Sequence, residues 1–308
     1  MKRKVMKMNK RIYSVISVKS VMANWNADFT GHPKEISDGT VFGSDKALKY
    51  AMKKVWDNQN EKVLYLKSYK MDGDKIQPRD LKERYQYVFN TNELSEKTTS
   101  EEILKCLFNA VDVRQFGATF AEAKNNISIT GAVQIGQGLS KYNQDTHEQQ
   151  ILSPFRDAKE KDAANSTIGT KIVSEETHYF YPVNINPSAY KDYVSLGVTD
   201  GYTEDDYKKF KNVALIAATA INTNSKAGCE NEFTIFVEVA ENVYLPDLTQ
   251  FITFEKNNGK KDKITISLSE ILTGLQIQKI EVYYNSMMIE LDCDVEANYY
   301  NIFTRKEV

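Results

Sequence analysis

Between Ser44 and Trp56 the chain reads Ser-Asp-Lys-Ala-Leu-Lys-Tyr-Ala-Met-Lys-Lys-Val-Trp, which sorts lysines and apolar residues onto opposite faces of one helix. Leu48, Ala51, Met52 and Val55 follow the three-four spacing of a buried stripe, while Lys46, Lys49 and Lys53 recur at the same period on the other side. Ser44 can cap the first turn, and Asp45 suits its positive end. The apolar stripe needs a core to lie against. The opposite row admits two readings: ammonium groups about 5 to 6 Å apart on a stiff rod can track a phosphodiester backbone, or they can simply solvate an outer face.

The rest of the pattern mixes strands with helices. Arg11 to Val21, rich in Val, Ile and Tyr, reads as a first strand, and Lys62 to Tyr69 as a second. Ser100 to Ala110 fits a short helix with Glu101 and Glu102 in its first turn. Ile127, Ile129, Val133 and Ile135 alternate with small or polar residues, so one face is apolar and the other could admit a backbone or ligand at close range. Thr203-Glu204-Asp205-Asp206 has the spacing of a capping box and opens a helix to about Asn222. Phe233 to Val239, Ile264 to Leu268 and Ile280 to Tyr284 alternate as further strands. The order strand, helix, strand, strand, helix, strand is compatible with an α+β, ferredoxin-like core carrying large insertions. Gly138 to Lys171 is a long connection with few apolar residues, and connections of that length are functional or disordered.

Composition narrows the class. With 308 residues, 41% hydrophobic and 27% charged, the chain can bury a substantial core and has the length of about two domains. It contains no apolar run near the roughly 18 residues that span a bilayer. The basic start (Lys2, Arg3, Lys4, Lys7, Lys10) lacks the apolar region of a secretory signal, so a cytoplasmic location with no membrane partner is expected. Cys106, Cys229 and Cys293 are odd in number and outside any paired motif, and His32, His147 and His178 are scattered, so neither disulfide nor metal is signalled and no cofactor is expected. Nucleophile-elbow, P-loop and dinucleotide signatures are missing as well. Residues 1–70 carry 15 Lys and Arg against 6 Asp and Glu, a net of +9, whereas the remaining 25 against 36 give −11. A polyanion would be met at the amino-terminal end, because local field rather than total charge governs docking.

Three motifs in order supply a resemblance. Ser44, Leu48, Lys49, Ala51, Met52 and Lys53, preceded by Asn24-Trp25-Asn26-Ala27-Asp28 and a segment ending at Gly43, resemble the first loop and helix of the CRISPR Cascade backbone subunit. Asp112-Val113-Arg114-Gln115-Phe116-Gly117-Ala118 and Ile129-Thr130-Gly131-Ala132-Val133-Gln134 are similar to two further signatures of that family. The match is nearest the type I-B and I-C branches of this RAMP superfamily and covers roughly Arg11 to Leu245. The resemblance implies an RRM-like palm over 11–245, with a further insertion at about 71–110 and a thumb hairpin at about 138–175 that projects over the guide strand. Residues 246–308 would complete or extend the palm. Implied partners are crRNA, target DNA through the guide, copies of this chain, subunits that cap the guide ends, and a large subunit.

On that basis the RNA-binding set is Asn24, Asn26, Ser44, Lys46, Lys49, Lys53, Arg114, Phe116, Thr130, Gly131 and Gln134, with Thr167, Ile168 and Lys171 on the thumb. Several alternatives stay open. Asn24 and Asn26 can donate to phosphate or ribose, or can form the turn. Arg114 can fork a phosphate and Phe116 can stack on a base, or Arg114 pairs with Asp112 and Phe116 fills the core. Ile168 is a wedge against a base or a cover for the thumb's own base. No catalytic residue is expected. The enzymatic alternative is a type III-like subunit cutting target RNA with Asp28, and a further one is a protein scaffold indifferent to nucleic acid.

Overall fold

The computed structural model describes residues 6–91, 94–156 and 166–308, with the backbone alone at 153–156 and 166–168. Lys2 to Lys4, the run 157–165 and the side chains of Thr167 and Ile168 therefore lie outside the described residues.

The first strand, Lys10–Ala23, forms the spine of the molecule. Its apolar residues occur on both pleat faces, and both faces are covered: Ile12 and Ile16 belong to one core, Tyr13 and Val15 to another. Along the sheet the order is Asn298–Asn301, Ile277–Tyr284, Cys229–Ala240, the first strand, Ser166–Ile185, Gly138–Asn143 and Phe42–Gly43. Val133–Ile135 and Thr146–Arg156 also pair with Ser166–Ile185. Neighbours run antiparallel, except that Asn298–Asn301 lies parallel to Ile277–Tyr284.

Helices cover one face. Leu48, Met52 and Trp56 from the helix Asp45–Asn58, with Phe210 and Val213 from Glu204–Ala214, pack on Ile12, Ile16, Tyr181 and Val183. A small sheet of Ile252–Glu255, Asp262–Ile266 and Ile289–Cys293 covers the other face, burying Ile252, Ile264, Ile266 and Ile289 against Phe180, Phe233, Ile235 and Val237. The result is a mixed α/β fold of helix, sheet and sheet layers.

The structure departs from the sequence pattern at four places. Lys62 to Ser68 is irregular rather than a strand, although Val63, Leu64 and Leu66 are buried. Its backbone groups find side chains instead of a neighbouring strand: the Leu64 and Tyr65 amides donate to Asp112 at 2.9 and 2.8 Å, and Arg84 donates to the Val63 and Leu64 carbonyls. The alternating run 127–136 breaks at Gly131, so Asn125–Thr130 pairs with Gly117–Glu122 while Val133–Ile135 joins the main sheet. The helix from Thr203 stops at Ala214 and is followed by a single turn, Ala217–Ala220. Its capping box forms, with Asp206 in the role that Glu usually fills.

The fourth departure is the long connection. Among the described residues, Gly138–Asn143, Thr146–Arg156 and Ser166 onward are strands, and Thr146 to Arg156 pairs with Ser174 back to Ser166. The first strand ends at Ala23, opposite Ser174. Beyond that point the strand Ser166–Ile185 continues as a two-stranded ribbon with Thr146–Arg156.

Candidate nucleic-acid interface

The lysine helix begins as its sequence dictates. The Ser44 hydroxyl accepts the Ala47 amide at 3.3 Å, and Leu48, Ala51, Met52, Val55 and Trp56 are buried. Its lysines are not equivalent. Lys46 is exposed. Lys49 donates to Asp45 at 2.9 Å, one turn back, and sits 5.5 Å over the Phe116 ring. Lys53 is half-buried and makes no hydrogen bond or ion pair among the described residues. Burial depresses its pKa, the Asp112 charge opposes the shift, and Lys49 reinforces it. Lys34, Ile36, Phe42, Ser44, Asp45, Lys46, Gln137 and Leu139 line a cavity of about 360 Å³ at the start of this helix.

The preceding loop is tightly held. Asn24 is buried, and its amide donates to the Gly31 and Ile172 carbonyls at 2.9 and 3.1 Å. Asn26 accepts the Ser44 amide at 2.6 Å. Both asparagines thus serve the turn, and the donor of Asn24 is directed to backbone inside the protein. Trp25 donates to the Tyr181 hydroxyl at 2.5 Å, over Gly43, where a Cβ would come within 1.8 Å of that oxygen. Lys226, about two hundred residues away, donates to the Asn24 and Trp25 carbonyls at 2.5 and 2.6 Å. Nothing in the sequence signalled this contact. Asp28 accepts the Thr30 amide and hydroxyl, both at 2.8 Å, and the His32 amide at 3.0 Å. The Thr30 hydroxyl bond leads the contacts that hold its carboxyl below the usual range.

The second motif turns inward. Arg114 forks Asp206, with Nε at 2.7 Å, and donates to the Gly201 carbonyl at 2.7 Å. The expected Asp112 partner is therefore corrected to Asp206, since the Asp112 carboxylate is consumed by the Leu64 and Tyr65 amides. Phe116 lies against Trp56 with ring centroids 5.7 Å apart and packs, half-buried, on the core, as the alternative to base stacking has it. Gly131 gives close approach to its own chain rather than to a ligand: a Cβ there would lie 2.1 Å from the Phe116 carbonyl carbon. Gln134 donates to the Gly131 carbonyl at 2.8 Å, and Thr130 is exposed. Lys171 is half-buried on the ribbon strand.

The histidines are not uniformly scattered once the chain folds. His178 is fully buried with Nδ1 2.9 Å from Glu232 and Nε2 3.2 Å from Glu176, and Ser17 donates to Glu232 at 2.6 Å. Glu176, His178 and Asp262 place one potential ligand atom each within 4.8 Å of the others. Lys256 already supplies a cation there, 2.8 Å from Glu176 and 3.1 Å from Asp262. Burial raises the Glu176 pKa, and the bonds from Lys256 and His178 more than offset it, leaving a net depression. The cluster ties the small sheet to the main one.

No curated protein matches the chain. Among solved structures, it is similar to a chain of a "CRISPR RNA-guided surveillance complex, pre-nicking" at 11% identity and a TM-score of 0.44, covering 76% of this chain and 80% of that one. It is similar to a chain of a "CRISPR RNA-guided surveillance complex" at 13% identity and a TM-score of 0.47, covering 88% of each. The family described as CRISPR-associated protein Cas7 matches residues 10–272, which take in the first strand, the pinned loop, the lysine helix and the ribbon. The chain belongs to the Cas7 family.

Proposed function

We propose that this chain is a non-catalytic, crRNA-binding backbone subunit of a type I CRISPR Cascade. Copies polymerise along the guide, hold it by its phosphates and leave its bases displayed for pairing with target DNA, while other subunits cap the guide ends and a large subunit joins the assembly. Phosphate contacts fix position without reading sequence, and base pairing carries the information. In this reading the main sheet with its helices serves as a ferredoxin-like palm, and the ribbon of Thr146–Arg156 and Ser166–Ser174 serves as the thumb over the strand. The complex works in the cytoplasm.

The observation that carries the reading is Lys53. A half-buried ammonium without a carboxylate partner among the described residues gains most from an arriving anion, and burial already depresses its pKa. Lys46 lies exposed on the same helix face, and Lys49 can exchange Asp45 for a phosphate because an i,i+4 pair contributes only about 0.3–0.5 kcal/mol. Replacing Lys46 and Lys53 by Ala is expected to weaken binding of single-stranded RNA of any sequence and to lower the salt slope by about 0.7 per lost contact. Unchanged affinity and slope overturn the reading.

The commitment of Asp28 to Thr30 and His32 supports a binding rather than a cutting role. Target RNA paired to the guide should survive prolonged incubation with Mg²⁺ or Mn²⁺. Cleavage that disappears in Asp28→Ala would establish the enzymatic alternative.

A further inference from the structure

Phe29 is the most exposed large apolar residue of the described chain, at 110% of its reference area. Exposed apolar side chains are common, but this one is presented by a loop whose turn is closed by several hydrogen bonds. The Asp28 amide donates to the His32 carbonyl at 2.7 Å, and Ala27 bridges Pro33. Three bonds to the Asp28 carboxylate close the turn that carries Phe29, while Asn24 and Lys226 fasten the base of the loop.

The immediate surroundings separate two kinds of partner. An aromatic anchor for a protein pocket sits at the centre of an apolar patch, whereas a ring that stacks on bases sits among polar and cationic groups. Along the loop the exposed residues beside Phe29 are Ala27, Asp28, Thr30 and His32, with half-buried Lys34 next and Ile36 the other large exposed apolar residue, so polar groups flank the ring directly. The loop also joins the two flanks of the proposed RNA path. Asn26 holds Ser44, the N-cap of the lysine helix, and Asn24 holds Ile172 on the ribbon, next to Lys171.

We infer that Phe29 is a base-stacking residue, its ring lying against one nucleobase of the single strand that passes between the lysine helix and the ribbon. The inference rests on the proposed RNA-binding function and adds a contact to the base plane beside the phosphate contacts. Stacking is indifferent to base identity, so the contact would fix the position of a base without selecting it. A loop backbone bonded in place before binding loses little freedom when the ring it carries stacks.

The test uses the full chain and a single-stranded oligoribonucleotide carrying 2-aminopurine. Wild-type protein is expected to bind it and change the fluorescence of the modified base. Phe29→Ala should bind about tenfold more weakly, lose the fluorescence change and keep the salt slope of the wild type. Phe29→Trp should restore both affinity and signal. If Phe29→Ala keeps affinity and signal while Lys53→Ala weakens binding, the stacking inference fails and the RNA-binding function stands. If wild-type protein binds no RNA, both fail. If Phe29→Ala instead abolishes self-association of nuclease-treated protein and leaves RNA affinity intact, the ring serves a neighbouring protein and the inference is overturned.

Discussion

Arg114 shows how a residue can belong to a recognisable motif and do something the motif does not announce. Its fork is fixed on Asp206, whose carboxylate also receives the Thr203 amide and hydroxyl, so the helix Val111–Phe116 and the capped start of the helix Glu204–Ala214 share one largely buried charge pair. Removing one partner leaves the other uncompensated. Arg114→Ala is therefore expected to cost about 3 kcal/mol of folding stability by denaturant midpoint, with Asp206→Asn similar and the double variant well short of additive. A change under about 0.5 kcal/mol would place Arg114 on the surface in energetic terms. The pairing was illegible in the sequence because its partner is 92 positions away, while the nearby Asp112 offered an obvious but wrong carboxylate. Asp28 was legible as a turn residue, since Asp commonly bonds the amide two residues on. Its depressed pKa means that its contribution to the loop is present above the unfolded value and lost as pH falls through the folded one. The Thr30 and His32 amide resonances should accordingly titrate below the ordinary Asp value of about 3.9, and a midpoint at or above it contradicts the bonded turn.

At the scale of elements, what could be read was what is decided locally. The lysine helix and the helix from Thr203 carry their caps and stripes within a few residues, so their starts were visible. Lys62 to Ser68 has strand composition, yet long-range partners decide where its amides go. Gly131 is the clearest intermediate case: the alternating pattern continues through it, but the chain breaks there. The Gly131 amide nitrogen would lie 2.5 Å from a Cβ on Gly117, and a Cβ on Gly131 would lie 2.4 Å from the Gly117 nitrogen. The two glycines let consecutive motifs cross in contact, which fixes the hairpin Gly117–Glu122 with Asn125–Thr130 against the helix Val111–Phe116. Gly131→Ala should cost about 2 kcal/mol or more, because backbone rather than a flexible side chain must move. If the glycine were instead held open for a bound strand, the alanine variant would keep its stability and lose only RNA affinity.

For the whole molecule, the question is whether residues 246–308 can be separated from the rest. The sequence resemblance fades near Leu245, but the family match continues to residue 272 and the packing continues further. Ile277–Tyr284 pairs along Cys229–Ala240 from Phe233 to Val239, and Asn298–Asn301 pairs in turn with Ile277–Tyr284. The small sheet buries Val15, Phe180, Phe233, Ile235 and Val237, all of which belong to the main sheet. Lys256 and Asp262 meet Glu176 beside His178, so the polar end of that face is shared as well. A fragment ending at residue 246 would therefore uncover an apolar sheet face and the long edge strand Cys229–Ala240 at once, the two features most prone to associate with another copy. Losing five buried side-chain contacts of this size removes several kcal/mol, comparable to the whole stability of about 5–15 kcal/mol of a typical domain. The fragment is expected to aggregate or stay unfolded under conditions where the full chain is monodisperse, as read by sedimentation and near-ultraviolet circular dichroism. A monomeric fragment with native tertiary signal and cooperative unfolding would show that the helix-covered core stands alone, and that the small sheet is a layer added to a complete fold.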